Sequence, residues 1–481
     1  MPLSKTHEMP EHGSEHYLCI DLDGTLVLTD TFGEAVLRFL RQSPLRFPHL
    51  LIWFLRGRPF LKMKVCEAMP LAPENLPYNS ALIDYIKDKK AHGSTIVLST
   101  GAHQSFATQV AEHLGIFDEV LSSDGRKNLV GATKARLLAA KYPGFQYAGN
   151  SRADMPVWKQ SGGAIVVSDS ARLQRLLQRS SIPIIRVISR KRGGPVTWMR
   201  AIRVHQWVKN LLVLLPILTS HRLAHWPTLR AGLISMLAFS FAASAIYLIN
   251  DLLDIPDDRL HVRKRRRPFA AGDLTPQSGV LAAVLCSALA VTTGALVPVA
   301  ARYLLLLYVV MTIAYSVHLK RFLIGDLMLV VGFYVLRVLY GGMATGIRVS
   351  VWLLAFSLFF FLSLAFVKRL SELRVQQLAH KLPGRGYRLE DVNLIGSLAG
   401  SSAYTSVLVF AFYINSPEVI PLYHRPQILW AICVALLYWL TRLILLSNRG
   451  DLHDDPIVFA FRDRASYVAG FLVALLIFAA S

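Results

Sequence analysis

Beyond Val204 the chain is filled by apolar runs near 207–220, 232–250, 278–297, 303–317, 324–345, 351–367, 398–415, 427–446 and 466–480. No other feature limits the fold as much. A bilayer interior offers no hydrogen-bond partner to a peptide group, so such runs cross it as helices whose backbone groups bond internally. A span takes about 20 residues, and the shorter runs leave their ends open. Nine spans are expected. With the N-terminal end inside, the inner loops 253–277, 320–321, 368–397 and 442–465 hold eighteen Lys and Arg. The outer loops 220–231, 298–302, 346–350 and 416–426 hold five. Basic residues favour the cytoplasmic side, so a multi-pass protein of the inner (cytoplasmic) membrane follows, with its N-terminus inside and its C-terminus outside.

Composition agrees. Only 17% of residues are charged and 53% are hydrophobic, against about 25% charged in soluble domains. The net charge of +21 does not indicate nucleic acid, because the bases cluster in short segments between apolar runs and form no recognition motif. Such segments suit anionic membrane lipids. Cys19, Cys66, Cys286 and Cys433 have no metal-ligand spacing and read as buried free thiols in a reducing compartment. Residues 1–16 form a polar tail without the apolar core of a signal peptide.

Residues 17–188 have a different texture. Short apolar runs, YLCIDLD, STIVLST, FQYAGN and GAIVVSD, alternate with amphipathic segments such as VLRFLRQ and TKARLLAAKY. This alternation predicts an α/β domain with a parallel sheet, so the fold class is multidomain: α/β followed by all-α membrane helices. The basic, Gly-containing stretch 189–197 is the expected linker, and 198–481 the membrane domain. Asp21-Leu22-Asp23-Gly24-Thr25 follows the first predicted strand. Two carboxylates one residue apart at a strand end can share phosphoryl transfer, one attacking phosphorus and the other handling protons. Thr100, Lys134 and the run Gly149-Asn150-Ser151-Arg152-Ala153-Asp154 then follow in order.

Together these motifs resemble the haloacid dehalogenase (HAD) superfamily over about residues 17–170. The resemblance implies a phosphatase in which Asp21 is the nucleophile and Asp23 the acid/base. Thr100 and Lys134 would be phosphate ligands, with Asp21, Asp23 and Asp154 at Mg²⁺. The family usually has an acid where Asn150 stands, and an Asn oxygen still serves as a ligand or orients water. Residues 31–95 are expected to form a small helical cap. Its segment PHLLIWFLRGRPFL is unusually apolar and Arg-flanked, and reads equally as cap core or as a helix lying in a membrane interface.

In the membrane domain, Asn250, Asp254 and Asp258 recur every four residues, which places them on one helical face, with Pro256 bending or ending that helix. Asp251 and Asp257 lie off that face. Acids at a membrane boundary need compensation, and Mg²⁺ is the usual one for oxygen-only ligands that meet phosphates. His261, Arg263, Lys264, Arg265, Arg266 and Arg267 follow at once, as an anion-binding set. Tyr315, Lys320, Arg321 and Asp326 surround the entry to the fifth run, and Arg337 lies three turns deeper. Lys209, Asn210, Lys368, Arg369, Glu372 and Asp463 complete the inner-side groups. Lys320, Arg321, Lys368 and Arg369 are equally accounted for as topological charges, and Glu372 as a salt-bridge partner.

Nine spans with NDxxDxxxD at the inner side of the second resemble the UbiA superfamily of intramembrane prenyltransferases, over about 198–481. The pattern is most similar to its decaprenyl-phosphate phosphoribosyltransferase branch, through Arg203, His205-Gln206-Trp207, Lys209-Asn210, Asp258-Arg259 and Arg267-Pro268. A second DxxxD is missing, since Val330 follows Asp326. The resemblance implies transfer of 5-phosphoribose from 5-phosphoribosyl diphosphate (PRPP) to a polyprenyl phosphate. Mg²⁺ would sit at Asn250, Asp254, Asp258 and Asp326, Asp254 and Asp258 being the catalytic acids. Lys209, Asn210, His261, Lys264, Arg265, Arg267, Tyr315, Lys320, Arg337, Lys368 and Glu372 would bind substrate. HAD-catalysed removal of the 5-phosphate would give polyprenyl phosphoryl ribose for cell-envelope synthesis. The alternatives are an aromatic prenyltransferase using polyprenyl diphosphate, and a transporter, although no internal repeat favours the latter. The oligomeric state stays open, a homo-oligomer included.

Overall fold

In the computed structural model of the chain, the described residues are 17–124, 128–190, 193–317, 319, 322–378, 387–417, 419–452 and 455–480. The polar tail, Lys320 and Arg321 lie outside them. The chain forms two compact units. One takes the residues up to Ala201 together with Ile249–Leu281, and the other takes Ile202–Leu248 and the chain from Ala282 onward.

The first unit is built on strands β1 (Tyr17–Ile20), β2 (Thr95–His103), β3 (Glu119–Ser123), β4 (Gln146–Gly149), β5 (Gly163–Val166) and β6 (Ile184–Val187). They lie in the order β3-β2-β1-β4-β5-β6, every pairing parallel. Successive residues alternate between two cores, because strand side chains point to opposite faces. Leu18, Ile20, Ile96, Leu98, Ala148 and Ile165 fill one face, and Cys19, Val97, Tyr147, Ala164 and Val166 fill the other. Burial on both sides explains why these strands read as continuous apolar runs. Strand order reverses at β1 and β4, and ligands of such sheets bind in the crevice at the carboxyl ends of strands there. Asp21 follows β1 and Asn150 follows β4.

Helices α1 (Thr31–Gln42), α2 (Phe47–Leu55), α3 (Arg58–Ala68) and α4 (Ser80–Ala91) lie between β1 and β2. The first three share a small core of Ala35, Phe39, Leu50, Val65, Cys66 and Met69, joined by Phe106. Helix α4 instead packs Leu82, Tyr85 and Ile86 into the core of the sheet, so the cap proper ends before it. Asp30 caps α1 by accepting from Gly33 N at 2.6 Å, and Asn79 caps α4 by accepting from Leu82 N at 3.3 Å; such caps contribute about 1 kcal/mol each. The remaining helices are α5 (Gln104–Leu114), α6 (Gly131–Lys141), α7 (Met155–Trp158), α8 (Ala171–Arg179) and α9 (Pro195–Ala201).

The membrane region contains α10 (Leu215–Thr219), α11 (Trp226–Leu253), α12 (Ile255–Leu260), α13 (Pro276–Gly294), α14 (Val299–Val317), α15 (Gly325–Thr345), α16 (Val351–Leu378), α17 (Val392–Ile414), α18 (Trp430–Arg449), α19 (Pro456–Ala460) and α20 (Arg464–Ala480). Seven of these helices are long and apolar enough to cross a membrane among the described residues, where nine spans were expected. The first apolar run becomes a 3₁₀ helix, Val204–Leu214, followed by α10 with Pro216 in its first turn. Proline has no N–H to continue an α-helix. The last run, α20, has 17 residues, about 25 Å at 1.5 Å per residue. Helix α15 is central to its unit because it carries two apolar stripes. Leu327, Val331, Tyr334 and Val338 face one core, and Leu336, Tyr340 and Ala344 face another. Gly341 lets α15 approach the backbone at Val213, whose carbonyl would lie 2.0 Å from an added Cβ.

Candidate functional sites

At the carboxyl end of β1 the Asp21 carboxylate accepts from Lys134 Nζ at 2.8 Å. Lys134, on α6, also donates to Ser99 O at 3.0 Å and to the Tyr147 hydroxyl at 2.9 Å, so its ammonium is fixed. Burial raises the Asp21 carboxyl above its usual range, with Lys134 opposing and nearby Asp154 adding to the rise. Asp23 accepts from Thr31 N and Thr31 Oγ1, both at 2.8 Å. Burial and the neighbouring Asp30 push Asp23 up to about 7, suited to an acid that gives and retakes a proton near neutrality. The turn between them depends on Gly24, at φ +75°, where an added Cβ would lie 2.1 Å from Asn150 Nδ2. Arg190 braces the loop, donating to Gly24 O and to Leu28 O.

Asp154 closes the other side. Its Oδ2 accepts from Asn150 N and Ser151 N, each at 3.0 Å, and Oδ1 accepts from the Tyr147 hydroxyl at 3.1 Å. The structure thus links Asp21, Lys134, Tyr147 and Asp154 in one chain of contacts and sets Asn150 beside the Asp21–Asp23 loop. Thr100 is buried, its hydroxyl accepting from Ala102 N at 3.0 Å. The donors at Asp21, Asn150 and Asp154 are all oxygen, and two acids share a buried site, which fits a hard cation such as Mg²⁺.

The acidic series lies in the same compact unit as this pocket. Helix α11 ends at Leu253 and α12 restarts behind Asp254 with Pro256 in its first turn. Four-residue spacing survives the break, since Asp254 N donates to Asn250 O at 2.9 Å and Asp258 N to Asp254 O at 2.8 Å. The side chains divide. Asp258 is buried, raised by burial despite Arg267, and shares Arg267 with Asp251 at 2.8 and 3.1 Å. Asp251, off the main face by spacing, is therefore a buried partner, and Arg267 is engaged by acids. Asp254 and Asp257 lie at the surface, 3.5 and 2.6 Å from Arg41 of α1. His261 Nδ1 accepts from Arg263 N and Lys264 N. Lys264 and Arg265 are exposed, and Arg259, Arg265 and Arg266 help line a cavity of about 540 Å³. Sequence reasoning missed Glu34 of α1, which receives a bidentate pair from Arg259 at 2.8 and 2.5 Å, both side chains buried.

In the second unit the inner-side groups form two clusters. Arg337 is buried, donates to Asn210 Oδ1 at 2.9 Å and to Phe333 O at 2.6 Å, and lies over the rings of Phe239, Tyr308 and Tyr334. Asn210 in turn donates to Ser240 at 2.9 Å. No carboxylate pairs with Arg337 among the described residues. Lys209, 5.9 Å from the Tyr334 ring, shares Asp455 with Lys368 at 2.8 and 3.2 Å. Burial raises Asp455, yet the two lysines prevail and hold it down at about 2. Asp455 also caps α19; in sequence, Asp455-Pro456 before an apolar run signals a helix start and conceals its second task.

The other cluster centres on Asp326, whose two oxygens are taken by Arg369 and by the Tyr387 hydroxyl at 2.7 Å, while Arg369 also holds Glu372. Asp326 is thus an ion-pair partner here, because a buried carboxylate needs compensation and Arg369 supplies it. Tyr315 meets Phe333 edge-on at 6.0 Å. Asp463 accepts a bidentate pair from Arg442 and caps the start of α20 through Ser466.

Residues 213–462 match the UbiA prenyltransferase family and residues 18–159 match haloacid dehalogenase-like hydrolase. An uncharacterized protein of Sinorhizobium fredii, y4nM, is 35% identical over 462 residues, covering 95% of this chain and 89% of that protein. Nodulation protein NoeC of Azorhizobium caulinodans is 33% identical over 281 residues, 57% of this chain and 89% of NoeC. Decaprenyl-phosphate phosphoribosyltransferase of Mycobacterium tuberculosis is 33% identical over 183 residues, 37% of this chain and 61% of that enzyme. With the family match spanning more than half of its length, the chain belongs to the UbiA prenyltransferase family, as a multi-pass membrane protein that also carries a haloacid dehalogenase-like hydrolase domain.

Proposed function

We propose that the chain is a bifunctional enzyme of the cytoplasmic face of the inner membrane. It moves 5-phosphoribose from PRPP to a polyprenyl phosphate, then removes the 5-phosphate to leave polyprenyl phosphoryl ribose for cell-envelope synthesis. The observation that carries this reading is the cationic interior of the membrane unit. Among the described residues, Arg337, Lys209 and Lys368 have one acid, Asp455, paired with them, and a partly buried positive excess demands anionic substrate groups. The partial likeness to decaprenyl-phosphate phosphoribosyltransferase supports the choice of donor.

In the transfer, the C1–O bond of PRPP breaks with its electron pair leaving on pyrophosphate, and an oxygen of the lipid phosphate bonds to C1. Lys264 and Arg265 receive the charge developing on pyrophosphate, as preorganised cations do in such steps. Arg337, Lys209 and Lys368 would bind phosphate groups of substrate, with Asn210 keeping Arg337 in place. Asn250, Asp254 and Asp258 would hold Mg²⁺, taking over from Arg41 and Arg267 the neutralisation of those acids. In the hydrolase domain Asp21 attacks phosphorus while Asp23 protonates the departing ribose oxygen; Asp23 then activates water to release phosphate. Lys134 and Thr100 bind the phosphoryl oxygens there, and Asp21, Asn150 and Asp154 would hold Mg²⁺. Bound Mg²⁺ supplies neutralisation of phosphate charge in both domains.

The test incubates detergent-purified chain with Mg²⁺, radiolabelled PRPP and a polyprenyl phosphate, followed by lipid extraction and mass determination. A lipid-linked ribose without 5-phosphate is expected, and Asp21→Asn should leave the 5-phosphate in place. Identical products from both proteins would remove the hydrolase from the sequence. Absence of labelled lipid, with transfer from a polyprenyl diphosphate to an aromatic acid, would establish the prenyl-transfer reading that the family match also allows.

A further inference from the structure

Helix α2 of the cap is apolar on nearly every side and largely uncovered. Leu45 in the turn just before it and Leu55 at its end are 94% and 85% exposed, and Phe47, Leu51, Ile52 and Phe54 are each half exposed. Leu50, which is buried, and Trp53, whose ring lies tilted against Phe39 at 5.4 Å, tie the helix to the core of the cap. Six large apolar side chains exposed within eleven residues exceed what a protein leaves in water without use.

The charge around them is of one sign. Between Ser43 and Cys66 there is no acid, while Arg46, Arg56, Arg58, Lys62 and Lys64 bracket the helix. Arg46, Arg56 and Arg58 are exposed. Lys62 turns inward instead, donating to Gly101 O at 2.8 Å. A second copy of this face would bring arginine against arginine, whereas anionic headgroups pair with them and acyl chains accept the apolar side chains.

We propose that α2 is a membrane-docking element that lies in the headgroup layer of an anionic bilayer and brings the hydrolase cap to phosphates carried on lipid. Because the same chain spans the membrane, the bilayer is available to α2 at high effective concentration. Docking does not depend on the reaction proposed above; its effect on turnover rests on that reading.

The full chain is reconstituted in vesicles of phosphatidylcholine with phosphatidylglycerol, labelled with a lipid-soluble photoactivated carbene probe, and mapped by peptide mass. Residues 45–55 should be labelled alongside the spanning helices, with α8 as the unlabelled soluble control. In the combined variant Leu51→Glu, Phe54→Glu, Leu55→Glu that label should fall at least about tenfold, with labelling of the spanning helices unchanged. Absence of label over 45–55 in the native chain overturns the proposal, as does cross-linking of this segment to a second copy. Hydrolysis of a soluble aryl phosphate, compared with that of lipid-borne phosphate, separates the two readings. If neither ester is cleaved while 45–55 is labelled, docking stands and the hydrolase assignment fails.

Discussion

Gly24 turns the chain between the two catalytic-type aspartates of the hydrolase at φ +75°, with Asn150 pressed against its Cα. Alanine there meets the left-handed penalty of about 1–2 kcal/mol together with a clash. Gly24→Ala should therefore abolish phosphate release while leaving lipid labelling from PRPP intact, as read by product mass. Asp455 is a second decisive residue. Asp455→Asn strips Lys209 of its buried counter-ion and should cost about 3 kcal/mol, read as a lowered unfolding temperature in detergent; Lys368, more exposed, adds little. The Asp455 carboxyl is held down at about 2, below its unfolded value. Its contribution is therefore present above pH ~3.9 and is lost only as pH falls towards 2, so this clamp should not titrate between pH 5 and 8. The Asp21–Asp23 pair was legible because its spacing carries the chemistry. Asp455 was not, since its lysines lie 246 and 87 positions away.

Among the elements, α1 has a role that its sequence conceals. Glu34 of α1 receives both nitrogens of Arg259, Arg41 reaches Asp254 and Asp257, and Asp30 accepts from Gln277 at 2.7 Å. The 250–281 segment is thus fastened to the hydrolase cap. Glu34→Arg or Arg259→Glu alone leaves buried charge unpaired and should cost about 3–5 kcal/mol. The swapped double variant should recover most of that loss in a thermal-unfolding cycle. Strands β1, β2, β4 and β5 were readable as apolar runs. β3 and β6 were not, because EVLSS and IIRV each carry a charged residue, Glu119 and Arg186, and acquire strand geometry by pairing at the sheet edges. The first apolar run is not one of the seven long helices for a local reason, Pro216, which has no N–H to carry one α-helix through from Val204. Its hydrophobicity was visible, but its backbone hydrogen bonding was not.

For the whole molecule, the compact units do not follow chain order, because Ile249–Leu281 joins the hydrolase side. A chain starting at residue 198 should therefore be poorly folded, with Arg259 deprived of Glu34 and Gly272 deprived of its packing on Leu28. Its yield and unfolding temperature in detergent should fall below those of the intact chain, and adding the hydrolase residues in trans should restore part of both. Equal stability of the fragment would show that the 249–281 segment holds its shape without the cap. The sequence by itself determined the two architectures, the membrane class and the motif order, because periodicity, run length and short-range spacing are properties of neighbouring residues. Only the tertiary structure decided which acids are compensated by arginine, which cations lack an acid, and which apolar helix is left uncovered. Those outcomes depend on distance and burial between residues far apart in the chain, where desolvation and charge pairing set the energies.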